Sequence, residues 1–147
     1  MKNIIIAIIT ILGLVWFVGL ISNTDPQIQG VQEIAVSDNT LISKVDATDF
    51  FALTEDSKNK LLDIRTPEEF MAGHLKNAIN IDYYASDFQN QLGKLDKSQT
   101  YLVYCRSGSR SSTAIQMMKT LGFKRVYELE GGINSWGAID LPICVNC

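Results

Sequence analysis

The stretch from Tyr101 to Met118, YLVYCRSGSRSSTAIQMM, constrains the fold of this chain more than any other segment. An apolar run of residues that favour β-strands ends at Cys105, and small and basic residues then lead into a helical pattern. We therefore predict a strand over residues 100–105 and a helix over residues 109–121, joined by a short loop.

Four further apolar runs with strand character alternate with helical patterns from residue 41 onward. The runs cover residues 41–45, 60–64, 78–81 and 125–129. Strands that alternate with helices favour an open, largely parallel sheet with helices on both faces. We therefore predict an α/β fold with a central parallel sheet of about five strands. Ligands of such sheets bind beyond the carboxyl ends of the strands, so Cys105 stands where a site is expected.

The loop after this strand has the composition of an anion cradle around a thiolate. A cysteine is a nucleophile as its thiolate, and the N-terminus of a following helix lowers the pKa of the thiol. Ser107, Gly108 and Ser109 are small enough for the loop to curl and to direct several backbone N–H groups at one point. We predict that Cys105 is the nucleophile and that these three residues bind substrate.

Two arginines complete the predicted cradle. Arg106 and Arg110 add positive charge and forked donors that suit oxyanions. The pattern therefore predicts a site for a sulfur anion and a small anionic substrate, with both arginines among the substrate-binding residues. The alternative from pattern alone is a buried structural cysteine in front of an ordinary helix.

Three motifs in a fixed order carry a resemblance to a known family. The first, LLDIRTPEEFMAGHLKNAINI, contributes Asp63, Arg65, Glu69, Phe70, Gly73, His74, Ala78, Asn80 and Ile81. The second is the loop CRSGSRS, and the third is LEGGINSWGAIDLP, with Gly131, Gly132, Trp136 and Pro142. On these motifs, the chain from about residue 42 to residue 143 resembles the rhodanese-like domain, the sulfurtransferase fold.

The resemblance implies a function and a set of partners. Cys105 would take the outer sulfur of a small anionic donor, such as thiosulfate or polysulfide, to form a persulfide, and would pass that sulfur to a thiol or cyanide. No metal and no organic cofactor are expected, and we expect a monomer. The resemblance also implies that His74 is mainly structural, that Asp63, Arg65 and Glu69 form a supporting brace, and that Trp136 belongs to the core.

Other functions fit parts of the pattern. A phosphatase or arsenate reductase uses a similar cradle, but its loop has five residues between cysteine and arginine, whereas four separate Cys105 from Arg110. A cysteine–histidine hydrolase would depend on His74, the single histidine of the chain. A non-catalytic rhodanese-like module that binds a partner or senses oxidants is the main alternative. The formal net charge of −3 does not suit a nucleic-acid-binding surface, and we expect no nucleic-acid partner.

The run from Ile4 to Ile21 contains no charged residue in 18 positions. As a helix it would span about 27 Å, close to the roughly 30 Å of a bilayer's hydrocarbon core. It is longer than the apolar core of a signal peptide and is followed by no good cleavage site. It also lacks the polar face of a soluble helix. We predict a membrane anchor over residues 1–22, a tether over residues 23–40 and the rhodanese-like domain over residues 41–147.

The charges that flank the apolar run predict its orientation. Lys2 precedes the run and Asp25 follows it, so the amino terminus is expected in the cytoplasm. The chain would then cross the cytoplasmic membrane once and hold its domain on the exported side. The alternative is a domain secreted after cleavage of residues 1–22.

The last residues form a C-x-x-C pair, Cys144 and Cys147, that departs from the family pattern. An exported domain meets oxidising conditions, in which a disulfide between the two is expected. A redox or sulfur relay with Cys105 and a pair of free thiols are the alternatives. One such pair is half of a zinc site, so we expect no metal.

Overall fold

Strand and helix alternate along the described chain, as the sequence pattern predicts. A computed structural model describes residues 40–145. The elements in chain order are β1 Leu41–Val45, α1 Ala47–Thr54, β2 Lys60–Asp63, α2 Pro67–Met71, β3 Ile79–Asn80, α3 Phe88–Gly93, β4 Thr100–Tyr104, α4 Ser109–Thr120, β5 Arg125–Leu129 and α5 Gly132–Ala138.

The five strands form one sheet in the order β1-β5-β4-β2-β3, and every neighbouring pair is parallel. This confirms the predicted α/β fold and its parallel five-stranded sheet. Strand β4 is central, with Val103 aligned with Leu62 of β2 on one side and with Glu128 of β5 on the other. The loop that follows β4 therefore opens at the middle of the sheet's carboxyl edge.

Helices cover both faces of the sheet, which explains the unbroken apolar character of β4. Tyr101 and Val103 pack on one face, against α3 and α4. Leu102 and Tyr104 pack on the other, against α1 and α5. Successive side chains of a strand point to opposite faces. Cys105 continues the first series, and its sulfur therefore faces the side that α4 covers.

Side-chain caps begin two of the helices. The Asp46 carboxylate accepts a hydrogen bond from the Asp49 amide at the start of α1, with a distance of 2.9 Å. Thr66 and Glu69 form a capping box at the start of α2, with Pro67 in its first turn. Helix α4 begins differently, since its N-cap is Gly108 and has no side chain to offer.

The predicted membrane segment lies outside the described residues. This holds for the hydrophobic helix over residues 4–21 and for all but the last residue of the tether predicted over residues 23–40. Within residues 40–145, no helix combines the length and the apolarity that crossing a bilayer requires.

Candidate active site

Cys105 is held at the centre of the sheet edge. It follows the last residue of β4, and the Ile64 amide donates to the Tyr104 carbonyl at 3.1 Å, which extends the pairing with β2 up to the loop. Only 1% of the surface of Cys105 is exposed. The structure thus places the predicted nucleophile at the carboxyl edge of the sheet, beneath the loop that follows it.

The loop directs hydrogen-bond donors at the cysteine sulfur. The Gly108 amide donates to the Cys105 Sγ at 3.1 Å, and the Ser111 hydroxyl oxygen lies 3.6 Å from the same sulfur. Gly108 adopts a φ of +96°, a conformation that side chains strongly disfavour. The glycine at this position therefore allows the loop to turn its amide back towards the sulfur.

These contacts favour the thiolate over the thiol. Burial acts to raise the pKa of Cys105, since it disfavours the charged form. Hydrogen bonds from the backbone amides of Ser111, Ser107 and Gly108 act in the opposite direction, and the balance lowers the pKa. The pKa of Cys105 is consequently lower than that of an ordinary cysteine, as nucleophilic catalysis requires.

The start of α5 anchors the loop from behind. The Ile133 amide donates to the Cys105 carbonyl at 2.9 Å, and the Asn134 amide donates to the Arg106 carbonyl at 3.1 Å. Gly132 is so close to this backbone that a Cβ atom there would lie 2.5 Å from the Cys105 carbonyl oxygen. The two glycines of the LEGG motif thus let a helix end approach the loop and hold its curvature.

Arg110 is bound by a carboxylate from another part of the chain. Its two terminal nitrogens donate to the two oxygens of Glu69, at 2.7 and 2.9 Å, and its guanidinium lies 5.6 Å from the ring centre of Tyr84. The bond to Glu69 is the main cause that raises the pKa of Arg110, and the nearby Cys105 thiolate adds to it. In this arrangement Arg110 braces the loop and contributes positive charge near the sulfur.

The remaining predicted substrate-binding residues lie on the outer side of the loop. Arg106, Ser107 and Ser109 are exposed, whereas Gly108 is buried. Among residues 40–145, no carboxylate forms an ion pair with Arg106. Its guanidinium is therefore the charged group of the loop that is open to an incoming anion.

The Asp63–Arg65 pair supports the fold beneath the loop. The Arg65 side chain donates to both oxygens of Asp63, with a shortest distance of 2.6 Å, and to the Gly73 carbonyl at 2.7 Å. Both side chains are buried, and the Arg65 guanidinium lies 5.8 Å from the ring centre of Tyr104, the residue before Cys105. Glu69, which the resemblance assigns to the same brace, binds Arg110 instead.

Sequence reasoning missed two residues near Cys105, Ser111 and Glu128. Ser111 contacts the Cys105 sulfur, and its hydroxyl donates to Glu128 Oε1 at 2.8 Å. Glu128 is only 4% exposed, although it lies in β5 in the apolar run RVYEL. Glu128 could have been found from the sequence, because it is an acidic residue in a strand that the pattern predicts to be buried. A buried carboxylate needs hydrogen-bond or charged partners.

His74 and Cys144 lie next to each other in the described structure. The His74 ring stacks on Phe70 with ring centres 3.8 Å apart, and its Nδ1 donates to the Phe70 carbonyl at 3.0 Å. The backbone of His74 pairs with that of Cys144. Cys105 is a free thiol and Cys144 is disulfide-bonded, while Cys147 lies outside the described residues. The sulfur-relay role of the C-x-x-C pair stays a prediction.

Known proteins share this architecture and its motifs. Residues 46–139 match the sequence model of a family described as the rhodanese-like domain. A sulfurtransferase of Allochromatium vinosum is 31% identical over 104 residues, which cover 70% of this chain and 95% of that protein. A thiosulfate sulfurtransferase of Vibrio cholerae is 34% identical over 92 residues, 63% of this chain and 85% of that protein.

A solved structure shows the same fold. The crystal structure of a rhodanese-related protein from Thermoplasma volcanium has a TM-score of 0.64 and 29% identity, and the match covers 71% of this chain and 99% of that one. A tRNA uridine(34) hydroxylase of Buchnera aphidicola is 32% identical over 110 residues, 71% of this chain but only 33% of that protein. Similar sequences thus occur in proteins named for different reactions.

Proposed function

Because this chain belongs to the rhodanese-like domain family, we propose that it is a sulfurtransferase that carries sulfane sulfur as a persulfide on Cys105. One observation supports this most directly: the Gly108 amide donates to the Cys105 sulfur at 3.1 Å, at the start of α4. A sulfur anion that receives backbone hydrogen bonds is both stabilised and oriented for attack.

In the first step, the Cys105 thiolate attacks the outer sulfur of a donor such as thiosulfate. A new S–S bond forms between the two sulfurs, the S–S bond of the donor breaks, and its electron pair leaves with sulfite. Cys105 then carries a persulfide whose outer sulfur is an anion. The exposed guanidinium of Arg106 attracts the donor, and the loop amides stabilise the sulfur that remains.

In the second step, a thiol or cyanide attacks the outer persulfide sulfur. The S–S bond to Cys105 breaks, and its electron pair returns to the cysteine as a thiolate. With cyanide the product is thiocyanate. Dividing the transfer into two displacements makes each one easier, which is the advantage of a covalent intermediate. Neither step requires a metal or an organic cofactor.

The position of Arg110 favours this reaction over phosphate chemistry. Its fork is occupied by Glu69, with contacts of 2.7 and 2.9 Å. A phosphatase or arsenate reductase uses the equivalent fork to bind the tetrahedral oxyanion of its substrate. A sulfur atom is smaller and needs donors close to the cysteine, which the Gly108 amide provides.

Mass spectrometry of the full-length protein tests the proposal. The chain is incubated with thiosulfate, polysulfide or a low-molecular-weight persulfide, and the peptide that contains Cys105 is then weighed. We expect a gain of one sulfur atom, its loss when cyanide is added, and the release of one thiocyanate. Cys105→Ser is the control and should gain no sulfur while it keeps the fold.

The alternative function, a non-catalytic module that binds a partner or senses oxidants, predicts the opposite result. No gain of sulfur from any of the three donors, by a protein whose circular dichroism shows a folded domain, would refute the sulfurtransferase and favour the module. Cys144 does not confuse the measurement, because it is engaged in a disulfide and lies on a different peptide segment from Cys105.

The location of the domain forms a second part of the proposal. Residues 4–21, with no charge over 18 positions, would anchor the chain in the cytoplasmic membrane and hold the domain on the exported side. A reporter enzyme that is active only outside the cytoplasm, fused after Cys147, should be active. Activity of a reporter that works only in the cytoplasm would contradict this orientation.

A further inference from the structure

A buried carboxylate lies against the loop and has no place in the two steps above. Glu128 belongs to β5, next to the central strand, and its Oε1 accepts hydrogen bonds from Ser111 at 2.8 Å and from Ser112 at 2.7 Å. A Cβ atom added to Gly108 would lie 3.8 Å from the same oxygen. The carboxylate is therefore packed directly behind the turn that holds the Cys105 sulfur.

Ser111 connects this carboxylate to the nucleophile, and its hydroxyl has a single hydrogen. Three acceptors surround it: Glu128 Oε1 at 2.8 Å, the Gly108 carbonyl at 3.0 Å and the Cys105 Sγ at 3.6 Å. A charged oxygen at short distance is a stronger acceptor than a sulfur at long distance. The hydrogen is consequently directed to Glu128, and the lone pairs of the Ser111 oxygen then face the sulfur.

We propose that the Glu128 carboxylate withholds the Ser111 hydrogen from the Cys105 sulfur, and that Glu128 is thereby a positioning residue that limits the ionisation of the nucleophile. This inference rests on the proposed sulfurtransferase function for its role in catalysis. Two effects act in the same direction: the thiolate loses one hydrogen-bond donor, and it faces a negative charge one hydroxyl away.

The other groups around Glu128 and Ser111 do not cancel the effect of the Glu128 charge on Cys105. From β1, the Lys44 ammonium lies 3.7 Å from Glu128 Oε2, the oxygen that does not accept from Ser111, and its side chain is 46% exposed. From α4, Ser112 donates to the same oxygen as Ser111. Arg110, also from α4, is a cation that interacts electrostatically with Cys105, but its guanidinium is paired with Glu69.

Control of Cys105 ionisation matters because the same sulfur has opposite roles in the two steps. It is the attacking group when sulfur is loaded and the leaving group when sulfur is passed on. A thiolate of higher pKa is the stronger nucleophile, and one of lower pKa is the better leaving group. Neutralisation of Glu128 would therefore make Cys105 a better leaving group and speed the release of sulfur to the acceptor.

The test measures the pH dependence of Cys105 alkylation by iodoacetamide in the full-length chain. In Glu128→Gln the charge is lost and the amide oxygen is a weaker acceptor. We expect the pH midpoint of alkylation to fall by about one unit, which is a tenfold gain in thiolate below the midpoint. Ser111→Ala in the wild-type background should not raise the midpoint above that of the wild type. Added to Glu128→Gln, Ser111→Ala should raise the midpoint above that of Glu128→Gln alone.

Thr113→Ala is the matched control, since it removes another hydroxyl of α4 that donates only to the Ser109 carbonyl. Its midpoint should equal that of the wild type. A midpoint that stays constant or rises in Glu128→Gln would overturn the proposal. So would a rise in Ser111→Ala alone, because Ser111 would then donate to the thiolate despite Glu128. The second outcome decides the question even if Glu128→Gln does not fold.

This measurement is separate from the test of the proposed function. Alkylation needs no sulfur donor, so the midpoints can be compared even if the protein gains no sulfur from thiosulfate, polysulfide or persulfide. Failure of sulfur loading in the wild type would refute the sulfurtransferase and leave the link between Glu128 and Cys105 standing. Failure of the predicted midpoint shifts would refute that link and leave sulfur transfer unaffected.

Discussion

Gly132 approaches the backbone of Cys105 so closely that a Cβ atom on it would lie 2.5 Å from the Cys105 carbonyl oxygen. The φ of Gly132 is also positive, at +62°. Gly132→Ala should therefore destabilise the domain by at least about 2 kcal/mol, from backbone strain and from the displaced loop. Chemical denaturation measures the loss, and sulfur loading of Cys105 should fall with it.

Gly137→Ala provides the control in the same helix. Apart from the neighbouring backbone of its own helix, no atom lies within 4 Å of a Cβ added there, and the backbone conformation is ordinary. Alanine in a helix is favoured over glycine by roughly 0.5–1 kcal/mol, so this variant should be as stable as the wild type or more so. Equal effects of the two substitutions would show that the contact with Cys105 does not matter.

The Gly108 amide should be needed for reactivity as well as for stability. Gly108→Ala strains a residue at φ +96° and shifts the amide that donates to the Cys105 sulfur. Gly122→Ala imposes a similar strain at φ +86° with open space around the Cβ atom, after the end of α4. Each should cost about 1 kcal/mol of unfolding free energy. Only Gly108→Ala should slow the alkylation of Cys105 at neutral pH, and a matching decrease in Gly122→Ala would contradict this assignment.

The ion pair between Glu69 and Arg110 should make stability depend on acidity. Bonding to Arg110 is the main cause that lowers the pKa of Glu69 to about 2, against an ordinary value of 4.5. A depressed pKa contributes stability that is fully present above the ordinary value and is lost as the pH falls through the folded value. Glu69→Gln should cost about 1 kcal/mol at pH 7, because the pair is partly exposed to solvent.

The pH dependence distinguishes this pair from a merely steric role of Glu69. The difference in unfolding free energy between wild type and Glu69→Gln should shrink as the pH is lowered from 4.5 towards 2. Urea denaturation at several pH values measures it. A difference that stays the same at pH 7 and pH 3 would mean that the charge of Glu69 contributes nothing.

Asp63→Asn should be the most destabilising of these changes. It leaves the Arg65 guanidinium buried without its anion, and breaking a buried pair on one side costs about 3 kcal/mol or more. Glu68→Gln, an exposed acid in α2, is the control and should change the unfolding free energy by less than about 0.5 kcal/mol. A small effect of Asp63→Asn would show that Arg65 finds another anion or reaches water.

Local sequence patterns were sufficient to predict the elements of the domain. Each predicted strand and helix is present, and the structure confirms the parallel sheet with Cys105 at its edge. The reason is that strand preference, helix caps and glycine turns act over a few residues.

The sequence by itself determined the parallel sheet and the curled loop after β4, and it predicts Cys105 as the nucleophile, because each depends on neighbouring residues in the chain. The tertiary structure decided which side chains meet that loop. Arg110 finds its partner Glu69 across 41 positions, and Ser111 finds Glu128 across 17. Those pairings follow from the positions of β5, β4 and β2 next to one another in the sheet. That order is set by the packing of the whole core, so no local motif could assign Arg110 to a carboxylate or place Glu128 behind the sulfur.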